Sequence, residues 1–222
     1  EECDQVLEAL GTPVQERYDL LKSHHATAEK RYYPLAQEVI TGTYVGDYDY
    51  VLDLLDRCYF PTREGVANFH DNFVDALILA GEEKIAEGKV EQAVTLYKKA
   101  FTYPENHQVF LVDERATHDA QINYCLGEAY AALGQDAEAE KYWKLAAEQD
   151  YELKGSKDFR YWTGLALERL GRKAEAEAIF SALVADGEAA VVTQHVNFYG
   201  AEGTTGVTVD IINSVAYYTQ AL

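Results

Sequence analysis

The stretch Gln121–Asp150, QINYCLGEAYAALGQDAEAEKYWKLAAEQD, decides the fold because its key residues recur elsewhere in the chain. Counted from Gly127, a second glycine follows after seven residues, an alanine after twelve and an aromatic residue after sixteen. The same steps recur from Gly81 and from Gly164, so the three sets are Gly127, Gly134, Ala139 and Trp143; Gly81, Gly88, Ala93 and Tyr97; and Gly164, Gly171, Ala176 and Phe180. Self-similarity in three copies predicts a repeat protein.

Each repeated position has a mechanical role in a helical hairpin. A glycine inside a helix, such as Gly127, costs about 1 kcal/mol against alanine, so we expect it where a second helix approaches closely. Gly134 falls where the first helix ends, at the position that favours a left-handed residue. Ala139 keeps the second helix close, and Trp143 fills the space between helices. Such hairpins bury their apolar faces against neighbouring hairpins and stack.

This pattern resembles the tetratricopeptide repeat, whose motif is W-x2-L-G-x2-Y followed by A-x3-F, A and P. The matching residues are Leu126, Gly127, Tyr130, Ala139, Trp143 and Ala146; then Ala93, Tyr97, Ala100 and Pro104; then Gly171, Ala176 and Phe180. The third copy departs from the motif, with Leu167 for tyrosine and Leu183 for alanine. The origin glycines are 46 (127 − 81) and 37 (164 − 127) residues apart, against a family period of 34. The resemblance implies an all-α fold, a right-handed superhelix of hairpins that binds other proteins.

The predicted organisation is a single repeat domain over residues 1–222. It comprises degenerate hairpins over 12–60, clear repeats over 68–104, 120–150 and 156–186, and terminal helices over 187–222. Thr12, Pro13 and Gln15 predict a capped helix start, a second helix is predicted over 26–40, and Gly46-Asp47-Tyr48 opens a third. The insertion Asn106–Arg115 is either a contact surface or a passive loop. The lack of methionine and an unpaired last helix predict that the chain is part of a longer protein.

Composition excludes several classes of function. The net charge is −19, from 38 acidic and 19 basic residues, which disfavours nucleic acids and anionic membrane surfaces as partners. No apolar run approaches the roughly 18 residues that a membrane-spanning helix needs. The three cysteines are too scattered for a disulfide framework. Cys125 is predicted to be a small buried residue, which favours a reducing, cytoplasmic location.

Motifs for catalysis, metals and cofactors are absent from the sequence. The six histidines form no HExxH pair and are predicted to lie on the surface. Neither a GxSxG elbow nor a phosphate-binding GxxxxGK[ST] loop occurs. The acidic pairs Glu82-Glu83 and Glu138/Glu140 have the composition of a glycosidase dyad, but on amphipathic helices such pairs are typical of the solvated face. The sequence therefore predicts a protein that is not an enzyme and binds no cofactor.

The resemblance also implies where a partner binds. In this family the concave surface comes from the first helix of each hairpin, and the corresponding positions here are Asp75, Ile78, Glu82, Gln121, Tyr124, Glu128, Asp158, Tyr161, Trp162, Glu168 and Arg169. This set is acidic and aromatic. It therefore predicts a peptide or protein segment with basic or aromatic side chains as the partner.

An alternative rests on a second resemblance. Tyr59-Phe60-Pro61 with Glu64-Gly65, the segment 100–106 and the Gly164–Gly171 hairpin resemble the C-terminal repeat region of large bacterial proteins. In those proteins an N-terminal β-sandwich domain of unknown function precedes the repeats. This resemblance covers about Val51–Leu222 and implies a helical accessory or oligomerisation module of a carbohydrate-active multidomain protein. Paired carboxylates in a deep pocket would favour this alternative.

Overall fold

The computed structural model describes residues 2–61, 69–108, 118–149 and 159–191, and the named elements in these ranges are all α-helices. They are α1 Glu2–Ala9, α2 Val14–Ser23, α3 His25–Ala28, α4 Tyr32–Val45, α5 Tyr48–Arg57, α6 His70–Ala86, α7 Val90–Lys99, α8 Asp119–Ala132, α9 Asp136–Ala147, α10 Arg160–Arg169 and α11 Lys173–Ala190. The predicted all-α class is confirmed for the described residues.

The helices pack into two compact units. The first contains the described residues up to His118 together with Glu128–Ala139, and the second contains Asp119–Gly127 together with the described residues from Glu140 onward. In the first unit, α6 packs against α4, α5 and α7. In the second, α10 packs against α11, and Ala120, Ala146 and Ala166 form a fully buried cluster.

Five glycines end helices with the same left-handed geometry. Gly11, Gly46, Gly88, Gly134 and Gly171 have φ between 69° and 82°. At each one, the glycine N–H and the next N–H donate to carbonyls of the preceding turn, the two bonds of a Schellman motif. The predicted turn residues Gly88, Gly134 and Gly171 are thereby confirmed.

The glycines inside helices lie where the ring of an aromatic residue occupies the space that a side chain would fill. A Cβ atom at Gly81, Gly127 or Gly164 would overlap the ring of the aromatic residue sixteen positions later. The predicted close approach is therefore confirmed in all three copies. Gly42 of α4 has the same role, since its Cβ would lie 2.7 Å from Val51 and 2.9 Å from Tyr18. The sequence pattern did not identify Gly42, because its partners follow a different spacing.

Near the N-terminus the helices differ from the sequence prediction. The predicted cap is wrong: helix α2 begins at Val14 with Pro13 as its N-cap and no side-chain cap, and the N–H of Thr12 donates to Leu7 in the turn that ends α1. The predicted helix over 26–40 is broken between α3 and α4. Pro34 explains the break, because a continuous helix would press its ring against the carbonyl of residue 30.

Two further predictions concern the C-terminal part of the chain. Helix α11 continues past the predicted hairpin end at 186 and stops at Ala190, with Val191 in an extended conformation. The first of the predicted terminal helices over 187–222 is thus a continuation of α11 as far as Ala190, and the helix prediction is wrong at Val191. Residues 192–222, which hold the rest of the predicted terminal helices, lie outside the described residues.

The segments after α5 and α7 are tied together in the first unit. Phe60 and His107 form an isolated parallel bridge, and the Asn106 side chain donates to the carbonyls of Leu55 and Cys58 at 2.9 and 2.6 Å. The described start of the predicted insertion therefore serves the fold by closing the end of α5. Residues 109–115 of the insertion lie outside the described residues.

Candidate binding surfaces

Three of the predicted site residues lie together in the second unit, and we call Tyr124, Tyr161 and Trp162 the aromatic cluster. The ring centroids of Tyr124 and Trp162 are 5.6 Å apart, and those of Tyr161 and Trp162 are 5.5 Å apart with the rings edge to face. All three side chains are half-buried. Distances of this size are typical of favourable aromatic pairs.

Small residues position the aromatic cluster. Tyr124 and Trp162 pack against Ala120, Ala146 and Ala166, which bring their backbones close together. The Thr163 hydroxyl donates to the Ala146 carbonyl at 3.0 Å and fixes the start of α10 against the end of α9.

The aromatic cluster also lies next to the place where α10 and α11 pack closely at Gly164. The ring of Tyr161 lies 5.9 Å from that of Phe180, the residue that fills the space above Gly164. Rings that are packed on one side and partly open on the other can hold an aromatic, aliphatic or cationic group.

On α6, Asp75 and Glu82 are two acidic residues of the first unit, seven positions apart in sequence. Both side chains are exposed, yet neighbouring protein atoms partly desolvate them and raise the pKa of each carboxyl. For Asp75, His118 opposes this rise in pKa and Asp71 adds to it. Ile78 lies between them in sequence but is 2% exposed, so its side chain belongs to the core and is not accessible to a partner.

The remaining predicted site residues are distributed over both units. Gln121 in the second unit and Glu128 in the first are half-buried, and Arg169 in the second is exposed, as is Glu168. Asp158 lies outside the described residues. Of the predicted site residues, the ring contacts bring together those of the aromatic cluster, in the second unit. Asp75 and Glu82 belong to the first unit.

Sequence reasoning missed a buried polar network in the first unit. The Glu38 carboxylate is fully buried and accepts hydrogen bonds from Tyr50 at 2.7 Å and from His25 Nδ1 at 3.0 Å. Desolvation, together with Glu38, raises the pKa of Tyr50. The signal was present, because Glu38 follows Leu35 by three residues and so shares its buried helix face.

Two histidines are buried, which corrects the prediction of surface histidines. His70 and His107 are 7% and 4% exposed. The ring of His70 stacks on Tyr103, and that of His107 contacts Phe60, Phe69 and Phe73 edge to face. The partners lie far away in sequence, so a local pattern gives no signal for this burial. The predicted burial of Cys125 is confirmed.

Two cavities of the first unit have volumes of about 410 and 630 Å³. Their linings contain one carboxylate each, Asp4 in the smaller and Glu29 in the larger. Neither cavity therefore offers the two carboxylates that a glycosidase requires. Within the part of the chain that the structure describes, no group of three or more histidine, cysteine, aspartate or glutamate residues could hold a metal ion.

Comparison with known proteins gives no family for this chain. No protein-family model matches it, and no curated protein does either. Among the described helices, none is both long enough and apolar enough to cross a membrane.

Proposed function

We propose that this chain is a non-catalytic interaction scaffold built of tetratricopeptide-like hairpins arranged as a right-handed superhelix. It binds a peptide or protein segment through the aromatic cluster. The observation that carries this proposal is that Tyr124 and Tyr161 both contact Trp162, and that all three residues are half-buried and occupy partner-binding positions implied by the repeat resemblance. Tyrosine and tryptophan are the side chains that most often dominate binding energy at interfaces.

The partner segment carries basic and aromatic side chains. The chain has 38 acidic residues against 19 basic ones, so its field attracts cationic segments and repels acidic ones. Cations also bind well over the faces of tryptophan and tyrosine rings. Separately, in the first unit, the α6 carboxylates of Asp75 and Glu82 also attract basic side chains, because pairing with a cation offsets the desolvation that raises the pKa of both groups.

The proposal is tested with peptides selected from a random library displayed on phage. The selected peptides are synthesised, and fluorescence anisotropy measures their affinity for the wild type and for a Tyr124→Leu/Trp162→Leu variant. Leucine keeps apolar volume against the buried alanines while it removes both rings. We expect peptides enriched in arginine, lysine and aromatic residues, and a loss of about 30-fold in affinity for the variant, the size of a hot-spot contribution of about 2 kcal/mol.

Leu145→Ala is the matched control, because Leu145 is an exposed apolar residue of α9 in the same unit. It should leave peptide affinity unchanged. Circular dichroism establishes that each variant retains its helices. Unchanged affinity in the double leucine variant, or selection of acidic peptides, would refute the proposal.

A further inference from the structure

The larger cavity of the first unit is lined by a concentration of positive charge that we call the basic cleft. It encloses about 630 Å³ between the α3–α4 turn and the end of α5. Its lining includes the cations Lys30, Arg31 and Arg57, the tyrosines Tyr32 and Tyr59, and the anion Glu29. Three cations against one anion is notable in a chain whose net charge is −19.

Two of these cations are unmatched within the described part of the chain. Lys30 and Arg31 are exposed and form no ion pair or side-chain hydrogen bond with any residue that the structure describes. Acidic residues outnumber basic ones two to one, so the lack of a carboxylate partner is not explained by composition. Both charges remain available to a ligand.

The third cation, Arg57, forms hydrogen bonds with two residues that do not line the cleft. Arg57 Nε donates to Asp53 at 2.7 Å, and Nη2 donates to His25 Nε2 at 3.1 Å. His25 Nε2 also lies 3.2 Å from Glu29, so Arg57, His25 and Glu29 belong to one connected polar group. Arg57 Nη1 lies 3.9 Å from Glu29, beyond hydrogen-bond distance. Nη1 of Arg57 thus keeps its capacity to donate a hydrogen bond, while the charge of the guanidinium group is paired with Asp53.

We propose that the basic cleft binds a small molecule through an oxyanion, a phosphate or carboxylate group. Guanidinium groups match such anions with parallel hydrogen bonds, and a lysine adds a compact point charge. Tyr32 and Tyr59 offer hydroxyl donors and ring faces to the remainder of the ligand. The volume lies within the roughly 300–1,000 Å³ of small-molecule sites. This site is independent of the proposed peptide-binding function.

The test is isothermal titration of the full chain with inorganic pyrophosphate and, separately, with citrate at matched ionic strength. We expect one of the two anions to bind with a single saturable site, and the Lys30→Gln/Arg31→Gln variant to weaken that binding at least about tenfold. Binding of pyrophosphate alone assigns a phosphorylated ligand, and binding of citrate alone assigns a carboxylate ligand. If the double variant fails to fold, Arg31→Gln alone replaces it.

The matched control is Lys144→Gln/Lys173→Gln, which removes the same two charges from exposed positions of α9 and α11. It should bind the anion like the wild type. Equal weakening in both double variants would identify a general charge effect and overturn the proposal. So would unchanged affinity in Lys30→Gln/Arg31→Gln, or no saturable binding of either anion below about 10 mM.

Discussion

Glycine is required in this chain for two different physical reasons, a left-handed backbone conformation and a close contact with a ring. Gly134 has a φ of 70° and open space around its Cα, so a side chain there would meet backbone strain and no clash. Gly127 has ordinary helical geometry, but a Cβ atom would overlap the indole ring of Trp143. The seven-residue spacing of the two glycines thus encodes a close helix contact followed by a chain reversal.

Substituting the two glycines separates these needs. Gly127→Ala should lower the free energy of unfolding by about 1–3 kcal/mol through overpacking, partly offset by the roughly 1 kcal/mol of helix propensity that alanine gains. Combining it with Trp143→Leu should relieve the clash, so that the two changes are non-additive in urea unfolding. Gly134→Ala should cost about 1 kcal/mol and add independently to Trp143→Leu. If the losses of unfolding free energy from Gly127→Ala and Trp143→Leu are strictly additive, the close contact between the two residues is contradicted.

His107 makes stability depend on pH. Burial lowers the pKa of its imidazole, so the unfolded chain binds the proton more readily than the folded one. The stability from neutral His107 is complete above the unfolded pKa of about 6.5 and is lost as the pH falls toward the folded pKa, at about 1.4 kcal/mol per pH unit. His107→Gln should therefore lose less stability than wild type between pH 7 and pH 5, measured as Tm.

An exposed histidine serves as the comparison for this pH effect. His24 is exposed in the first unit, and His24→Gln should leave the change in Tm between the two pH values as it is in wild type. If His107→Gln and wild type lose the same Tm on acidification, burial of the imidazole does not govern the acid sensitivity.

Helix boundaries could be predicted from the sequence where neighbouring residues determine a turn. They could not be predicted where contacts between distant residues determine the position of a helix. The repeat glycines predicted three hairpin turns, because a left-handed residue ends a helix whatever surrounds it. Helix α1 was missed, because its position depends on a buried pair with α2. Asp4 of α1 is 1% exposed and accepts hydrogen bonds from Arg17 Nε at 2.9 Å and Nη2 at 3.1 Å.

The Asp4–Arg17 pair provides a test of how α1 is attached to α2. The hydrogen bond to Asp4 raises the pKa of Arg17, so Arg17 stays charged, and Asp4→Ala should leave that charge buried with only Glu8 and Gln37 nearby. We expect a loss of about 3 kcal/mol or more in urea unfolding. Asp4→Leu/Arg17→Met should recover most of it, since apolar replacement of a buried ion pair is often neutral. A double variant as unstable as Asp4→Ala would argue against this attribution.

At the scale of the molecule, the sequence predicted helical class and part of the candidate surface. The repeat resemblance implied that Tyr124, Tyr161 and Trp162 share a partner-binding surface, and in the structure both tyrosine rings contact Trp162. The basic cleft had no such signal, because Lys30, Arg31 and Arg57 belong to a part of the chain where Pro34 breaks the helical period and the repeat is degenerate. Burial of His107 was missed because it depends on contacts with the distant residues Phe60, Phe69 and Phe73. Burial of Glu38 was missed although its spacing from Leu35 places both residues on one helix face.

The net charge of −19 predicts that salt stabilises the whole molecule. Excess like charge destabilises a compact chain, and raising sodium chloride from about 0.01 to 0.1 M shortens the screening length from about 30 to 10 Å. Surface ion pairs weaken as well, but each contributes only about 0–1 kcal/mol, so reduced repulsion dominates and Tm should rise. The exposed Glu177 and Glu188 form no ion pair with described residues, and Glu177→Gln/Glu188→Gln should give a smaller rise. A fall in Tm with salt would show that ion pairs outweigh the net repulsion.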